Sequence, residues 1–114
     1  MASKSADHSL ALSKLLGDRA RLITDPDITA SYARDQAPFA HSEPPFAVLI
    51  AASAEDISVA LKYASAHKIP VVTRGAGSGL AGGANSSAQS LVISLEKMNQ
   101  IISIDTDNQI ARVQ

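Results

Sequence analysis

An α/β (α+β) fold is predicted for this chain: a strand–helix–strand unit with short parallel strands, followed by the start of a second, antiparallel sheet. Three observations carry that prediction. Residues Phe46 to Ala51 form an unbroken apolar run, the pattern of a strand covered on both faces. Ile57, Ala60, Leu61 and Ala64 then recur at helical spacing. Val71, Val72 and Thr73 follow as a short β-branched run. The three segments fit within about thirty residues, the size of a βαβ unit, whose crossover is right-handed.

Each element can be justified in order. Leu10, Leu12, Leu15 and Leu16 predict a short amphipathic helix that stops at Gly17, where a left-handed residue costs little. Asp25 before Pro26 starts another turn of helix, with Tyr32 near its end. Three prolines between Gln36 and Pro45 predict an extended surface crossing. Ser53 and Asp56 have capping-box spacing and open the main helix, which ends with His67 and Lys68 at its negative pole before Ile69 and Pro70. From Arg74 to Ser90 the composition turns to Gly, Ala, Ser and Asn, which predicts a long loop. Leu91 to Leu95 reads as a third strand, and Ile102, Ile104, Ile110 and Val113 as a hairpin turning near Asp107 and Asn108. The last strand breaks off at Gln114, and an unfinished edge of that kind is expected of a truncated domain. The expected organisation is a helical segment and linker over 1–40 and a domain over 41–114 that is cut short at its C-terminus.

Composition excludes several classes of function. A net charge of −1 gives no electrostatic footprint for nucleic acid, and 4% aromatic residues without tryptophan give no stacking platform for single strands. No cysteine is present, so disulfides, thiolate metal sites and cysteine nucleophiles are excluded, and redox chemistry would need a borrowed cofactor. Met1 to Ser9 lacks the apolar core of a secretory signal, and the apolar run Phe46 to Ala52 falls far short of the ~20 residues that span a bilayer. A cytoplasmic protein is expected. His8, His41 and His67 fall in the N-terminal tail, the proline-rich crossing and a helix end, so no metal site is expected. Tyr32 and Asp35 read as neighbours on a short helix with packing and capping roles, and Lys97 and Arg112 as surface charges.

The chemical signal is the run Arg74, Gly75, Ala76, Gly77, Ser78, Gly79, Leu80, Ala81, Gly82, Gly83, Ala84. Clustered glycines let successive backbone N–H groups converge on one point, which suits a pyrophosphate. The run also leaves the carboxyl end of a strand, where parallel sheets bind ligands. A P-loop is excluded because no lysine lies between Lys68 and Lys97. Gly77, Gly79 and Gly82 match the G-x-G-x-x-G dinucleotide fingerprint, with Glu96 as a ribose-binding acid, but too few residues separate Gly82 from Leu91 to form the helix it requires. A tight connection without a ligand is the remaining alternative, and Arg74 suits either a phosphate or a structural partner at the strand end.

The stretch from Pro70 to Gly83 resembles the pyrophosphate loop of the vanillyl-alcohol oxidase and p-cresol methylhydroxylase superfamily of FAD enzymes. The resemblance is to its branch with D-lactate dehydrogenase and the glycolate oxidase large subunit. It extends over Ser31 to Gln114 through Tyr32-Ala33-Arg34-Asp35, Ser53-Ala54-Glu55-Asp56-Ile57 and Leu95-Glu96-Lys97-Met98-Asn99. It implies that 41–114 is the first part of an FAD-binding domain. Arg74, Gly75, Ala76, Gly77, Ser78, Gly79, Leu80, Gly82 and Gly83 would lie at the cofactor, with Ser78 adding a hydroxyl donor. Some branches tether flavin through a histidine where this chain has Ser78, which implies non-covalent FAD. The family oxidises 2-hydroxy acids by hydride transfer to flavin, using groups from a later domain. The implied partners are thus FAD and the remainder of the FAD-binding and substrate domains, and some relatives associate peripherally with membranes. No catalytic residue is assigned here, and the fragment alone is expected to be inactive. The competing expectation is a non-enzymatic nucleotide- or anion-binding module that pairs with a partner chain.

Overall fold

A computed structural model describes residues 4–114. Its first helix, α1 (Lys4–Leu16), stops where expected, with Gly17 left-handed at φ +58°. His8 therefore sits inside a helix and not in a tail. A 3-10 turn leads into β1 (Arg21–Ile23), a three-residue strand the sequence did not disclose. Asp25 caps the short helix α2 (Pro26–Thr29) by accepting the Asp27 amide at 3.0 Å, and Pro26 stands at its first position. A second 3-10 turn ends at Tyr32. Asp35 lies beyond it in irregular backbone, so the expected helical pairing with Tyr32 does not form.

The main unit follows the predicted order: β2 (Ala47–Ile50), α3 (Ala54–His67) and β3 (Val71–Arg74). The capping box at the start of α3 is complete. Ser53 Oγ accepts the Asp56 amide at 3.3 Å, and Asp56 Oδ2 accepts the Ala52 and Ser53 amides at 3.0 Å each. Replacing Ser53 with alanine is expected to cost about 1 kcal/mol, read as a lower urea midpoint at unchanged slope. At the other end Lys68 turns left-handed at φ 55°, and the Ile69 amide reaches back to the Ala64 carbonyl at 2.9 Å.

The third predicted strand, β4 (Leu91–Ser94), inserts between β2 and β3, and the sheet order is β1-β2-β4-β3. Strands β2, β4 and β3 run parallel, while β1 is antiparallel to β2. Side-chain alternation splits the core into two faces. Ala47, Leu49, Leu91 and Ile93 meet Leu12 and Leu16 of α1 and Ala60 of α3. Val48, Ile50 and Val92 point the other way with Ile23 and are flanked by Tyr32 and Val72. Leu61 lies off the buried stripe of α3 and is exposed, a departure from the expected apolar face. The segment before residue 40 is thus built into the same layers through α1 and β1.

The second sheet is the hairpin β5 (Ile101–Asp105) and β6 (Ile110–Val113). Asp105 shapes its turn by accepting the backbone and side-chain N–H groups of Asn108 at 3.0 and 2.9 Å, and Gln109 is left-handed. Every residue from 101 to 114 is exposed, which leaves Ile101, Ile102, Ile104, Ile110 and Val113 open to solvent. Among the described residues no helix is long and apolar enough to cross a membrane.

Candidate anion-binding loop

Residues 75–90 contain neither helix nor strand, which removes the dinucleotide-fingerprint reading that needed a helix after Gly82. The loop leaves the carboxyl end of β3 at Arg74, on the edge of the parallel sheet. Gly77 is its buried glycine and is left-handed at φ +69°. A side chain there would strike the Arg74 guanidinium, so glycine is required by conformation and by space. Gly82 is also left-handed, at φ +81°, and a Cβ on it would press Ala40 at 3.0 Å. Gly75 and Gly83 have open space around them.

The loop has two limbs with different hydrogen bonding. In the proximal limb, the amides of Ala76, Gly77, Ser78 and Gly79 donate to no other described residue, and Ala76, Ser78 and Gly79 are exposed. In the distal limb the polar groups are used internally. Ala84 donates its amide to Asp35 Oδ2 at 3.4 Å. Asn85 donates its side-chain amide to the carbonyls of Ala40 and His41, and Ser86 donates its amide to the Ala33 carbonyl at 2.8 Å. Ser86 Oγ also donates to the Glu43 carbonyl at 2.7 Å.

What shapes the loop is the strip Ala33 to Ala37, whose role sequence reading missed. The Gln36 amide donates to the Gly79 carbonyl at 2.9 Å, and the Asp35 amide to Asn85 Oδ1 at 2.8 Å. Arg74 turns back, donating from Nη1 to the Arg34 carbonyl at 2.8 Å with its guanidinium 5.7 Å from the centre of the Tyr32 ring. Its contacts are those of a brace beneath Gly77. Tyr32 in turn donates to Glu96 Oε2 at 3.5 Å.

Asp35 is 2% exposed, and its Oδ1 accepts the Ala37 amide at 2.8 Å. The Ala37 amide, then those of Ala84 and Gly82 and the Arg74 charge, hold the carboxyl below the usual aspartate range, against the opposing effect of burial. A signal was present in the sequence, since Asp35 belonged to the resemblance, but nothing local showed that it reaches residues nearly fifty positions away.

The structure brings two of the histidines together, with the rings of His8 and His67 5.4 Å apart and both against Tyr63. His8 Nδ1 bonds Tyr63 Oη at 2.8 Å, His67 Nδ1 bonds the Tyr63 carbonyl at 2.9 Å, and His41 lies on the crossing. No group of three or more candidate metal ligands occurs among the described residues. Lys97 and Arg112 are exposed, as expected.

Residues 45–114 match the family model described as FAD binding domain. The chain belongs to the FAD-binding domain family. This FAD-binding segment is 36% identical over 102 residues to an uncharacterized FAD-linked oxidoreductase of Mycobacterium tuberculosis, covering 90% of the chain and 22% of the relative. It is 32% identical to a D-lactate dehydrogenase of Anaerostipes hadrus (82% of the chain, 20% of the relative). It is 39% identical to a glycolate oxidase subunit of Bacillus subtilis (73% and 17%). Among solved structures it is similar to p-cresol methylhydroxylase, with a TM-score of 0.69 at 27% identity, over 87% of this chain and 20% of that one. The chain therefore spans about a fifth of the length of the curated relatives it matches. The fold, the superfamily and FAD as the cofactor follow the sequence expectation.

Proposed function

We propose that this chain holds FAD non-covalently as the N-terminal part of a cytoplasmic flavin-dependent oxidoreductase acting on D-lactate, glycolate or a similar 2-hydroxy acid. The observation that carries this reading is the row of four adjacent amides, Ala76 to Gly79, without internal partners at the carboxyl end of β3. Backbone N–H groups around a left-handed glycine make a concave anion site, and a pyrophosphate is the anion of matching shape. Gly75 opens one side of the approach and the Ser78 hydroxyl adds a donor at its rim. Arg74 contributes positive charge from beneath, and Leu80, Gly82 and Gly83 complete the proposed set of cofactor-binding residues. Ser78 offers no ring nitrogen for a flavin tether.

Bound FAD would supply the electron acceptor. The chain's own residues would bind and orient it, while substrate-binding and proton-abstracting groups would come from the remaining part of the FAD-binding domain and from a substrate domain. The division into 1–40 and 41–114 is part of this proposal, with 41–114 carrying the cofactor contacts. The test is to purify the protein at its full natural length, denature it and measure the released flavin. Stoichiometric FAD, free in the supernatant, is expected. Absence of flavin, or flavin that stays with the precipitated polypeptide, would contradict the reading.

A further inference from the structure

The division of the loop into a bonded limb and an unbonded limb has a specific cause. We propose that Asp35 is the positioning residue of the cofactor loop: its carboxylate acts as a resident anion that gathers the distal amides and leaves the proximal row, Ala76 to Gly79, for the cofactor phosphates. This inference rests on the loop being the pyrophosphate site, but its structural half can be tested without FAD.

Four observations support it. First, Asp35 is buried, yet its carboxylate has partners on both sides, with Oδ1 accepting from Ala37 and Oδ2 from Ala84. A buried carboxylate satisfied by backbone amides is held firmly, because removing it leaves those N–H groups unpaired. Second, the Gly82 amide joins Ala37 and Ala84 in favouring the ionised form of the same carboxylate. Third, a Cβ at Gly79 would sit 3.3 Å from Asp35 Oδ2, which shows how closely the carboxylate supports the end of the proximal limb. Fourth, the backbone on either side of Asp35 is tied to the loop, by Arg34 to Arg74 and by Gln36 to Gly79. Asp35 therefore fixes both ends of the proximal row while leaving its N–H groups unbonded.

The charge balance is consistent with this role. Arg74 is the cation that faces Asp35 from β3, and it offsets the carboxylate that would otherwise repel a pyrophosphate. Along the crossing, His41 and Glu43 face each other at 3.8 Å, and the Glu43 carboxylate accepts the Ala88 amide. Because the folded-state pKa of Asp35 is depressed, its contribution is present above the ordinary aspartate value and is lost as pH falls through the lower, folded value. Acid should open the loop before it unfolds the sheet.

The experiment compares the unmutated protein, at its full natural length, with Asp35→Asn and Asp35→Ala. Hydrogen exchange is measured on peptides covering 33–41 and 79–88, with 46–52 and 90–95 reporting the core. The expected result is faster exchange in the first two with unchanged exchange in the core, together with FAD affinity weakened by at least about tenfold. A general structural role would loosen the core peptides as well. Unchanged loop exchange, or FAD affinity within twofold of the unmutated protein, would overturn the proposal.

Should both variants fail to fold, acidification of the unmutated protein decides. FAD release as pH falls below the ordinary aspartate value, while far-ultraviolet circular dichroism stays native, is expected, and FAD retained until the sheet unfolds overturns the inference. If the unmutated protein carries no FAD, the pyrophosphate reading fails, and the exchange data still decide whether Asp35 shapes the loop.

Discussion

Substitution of Gly77 by valine is expected to remove FAD from the full-length protein while leaving its secondary structure intact. The residue is left-handed at φ +69°, a conformation that costs an ordinary L-residue about 1–2 kcal/mol and a β-branched one more. Relaxing the backbone would turn the neighbouring amides out of the orientation they hold in this loop. Holding it would drive the new side chain into the Arg74 guanidinium and displace that group from the Arg34 carbonyl and the Tyr32 ring. Either outcome distorts the proximal row. FAD affinity should fall by at least about a hundredfold, equivalent to ~3 kcal/mol, in a titration followed by flavin fluorescence. Affinity within a few-fold of the original would show that the cofactor does not depend on this geometry.

The largest effect on stability is expected from Leu49→Ala. Leu49 is fully buried in β2, between Leu22 of β1 and Ile93 of β4 in the register, and it belongs to the cluster that joins the sheet to α1 and α3. The truncation leaves a cavity beneath two helices that are tied to strands and can close only partly over it. A cost of about 2–5 kcal/mol is expected, against a total stability of about 5–15 kcal/mol for ordinary domains. Urea denaturation should show a lower midpoint at unchanged slope. A change below about 0.5 kcal/mol would mean that Leu49 does not sit at the centre of a packed two-sided core.

How legible this fold was depended on how local each determinant is. Ser53 with Asp56, Asp25 with Pro26, and Leu16 with Gly17 act within one turn, and each set the helix boundary predicted from it. The continuous run at β2 reads correctly because burial on both faces removes any polar alternation. Strand β1 escaped because Arg21-Leu22-Ile23 is too short to show a period, and its pairing with β2 supplies what its own sequence lacks. The central place of β4 is equally invisible in a linear reading, since it follows from which edges remain to be paired. Leu61 misled by composition, because its apolar side chain sits beside the buried stripe of α3 and not on it.

The candidate site shows the same division. Glycines announced the loop, because no other residue tolerates the positive φ found at Gly77 and Gly82 at so little cost. The strip that shapes it stayed hidden, since Arg34, Asp35 and Gln36 act through bonds to residues some forty to fifty positions along the chain. Arg74 was open to either reading from sequence, and its side chain is found folded beneath Gly77.

Whether the amides of Ala76 to Gly79 receive the FAD pyrophosphate is decided by a crystal structure of the full-length protein with FAD. Pyrophosphate oxygens are expected about 3 Å from those nitrogens, with Asp35 still accepting from Ala37 and Ala84. A pyrophosphate placed elsewhere, for example in the cleft lined by Arg21, Tyr32 and Glu96, with the four amides turned away from it, would rule out the loop as the pyrophosphate site.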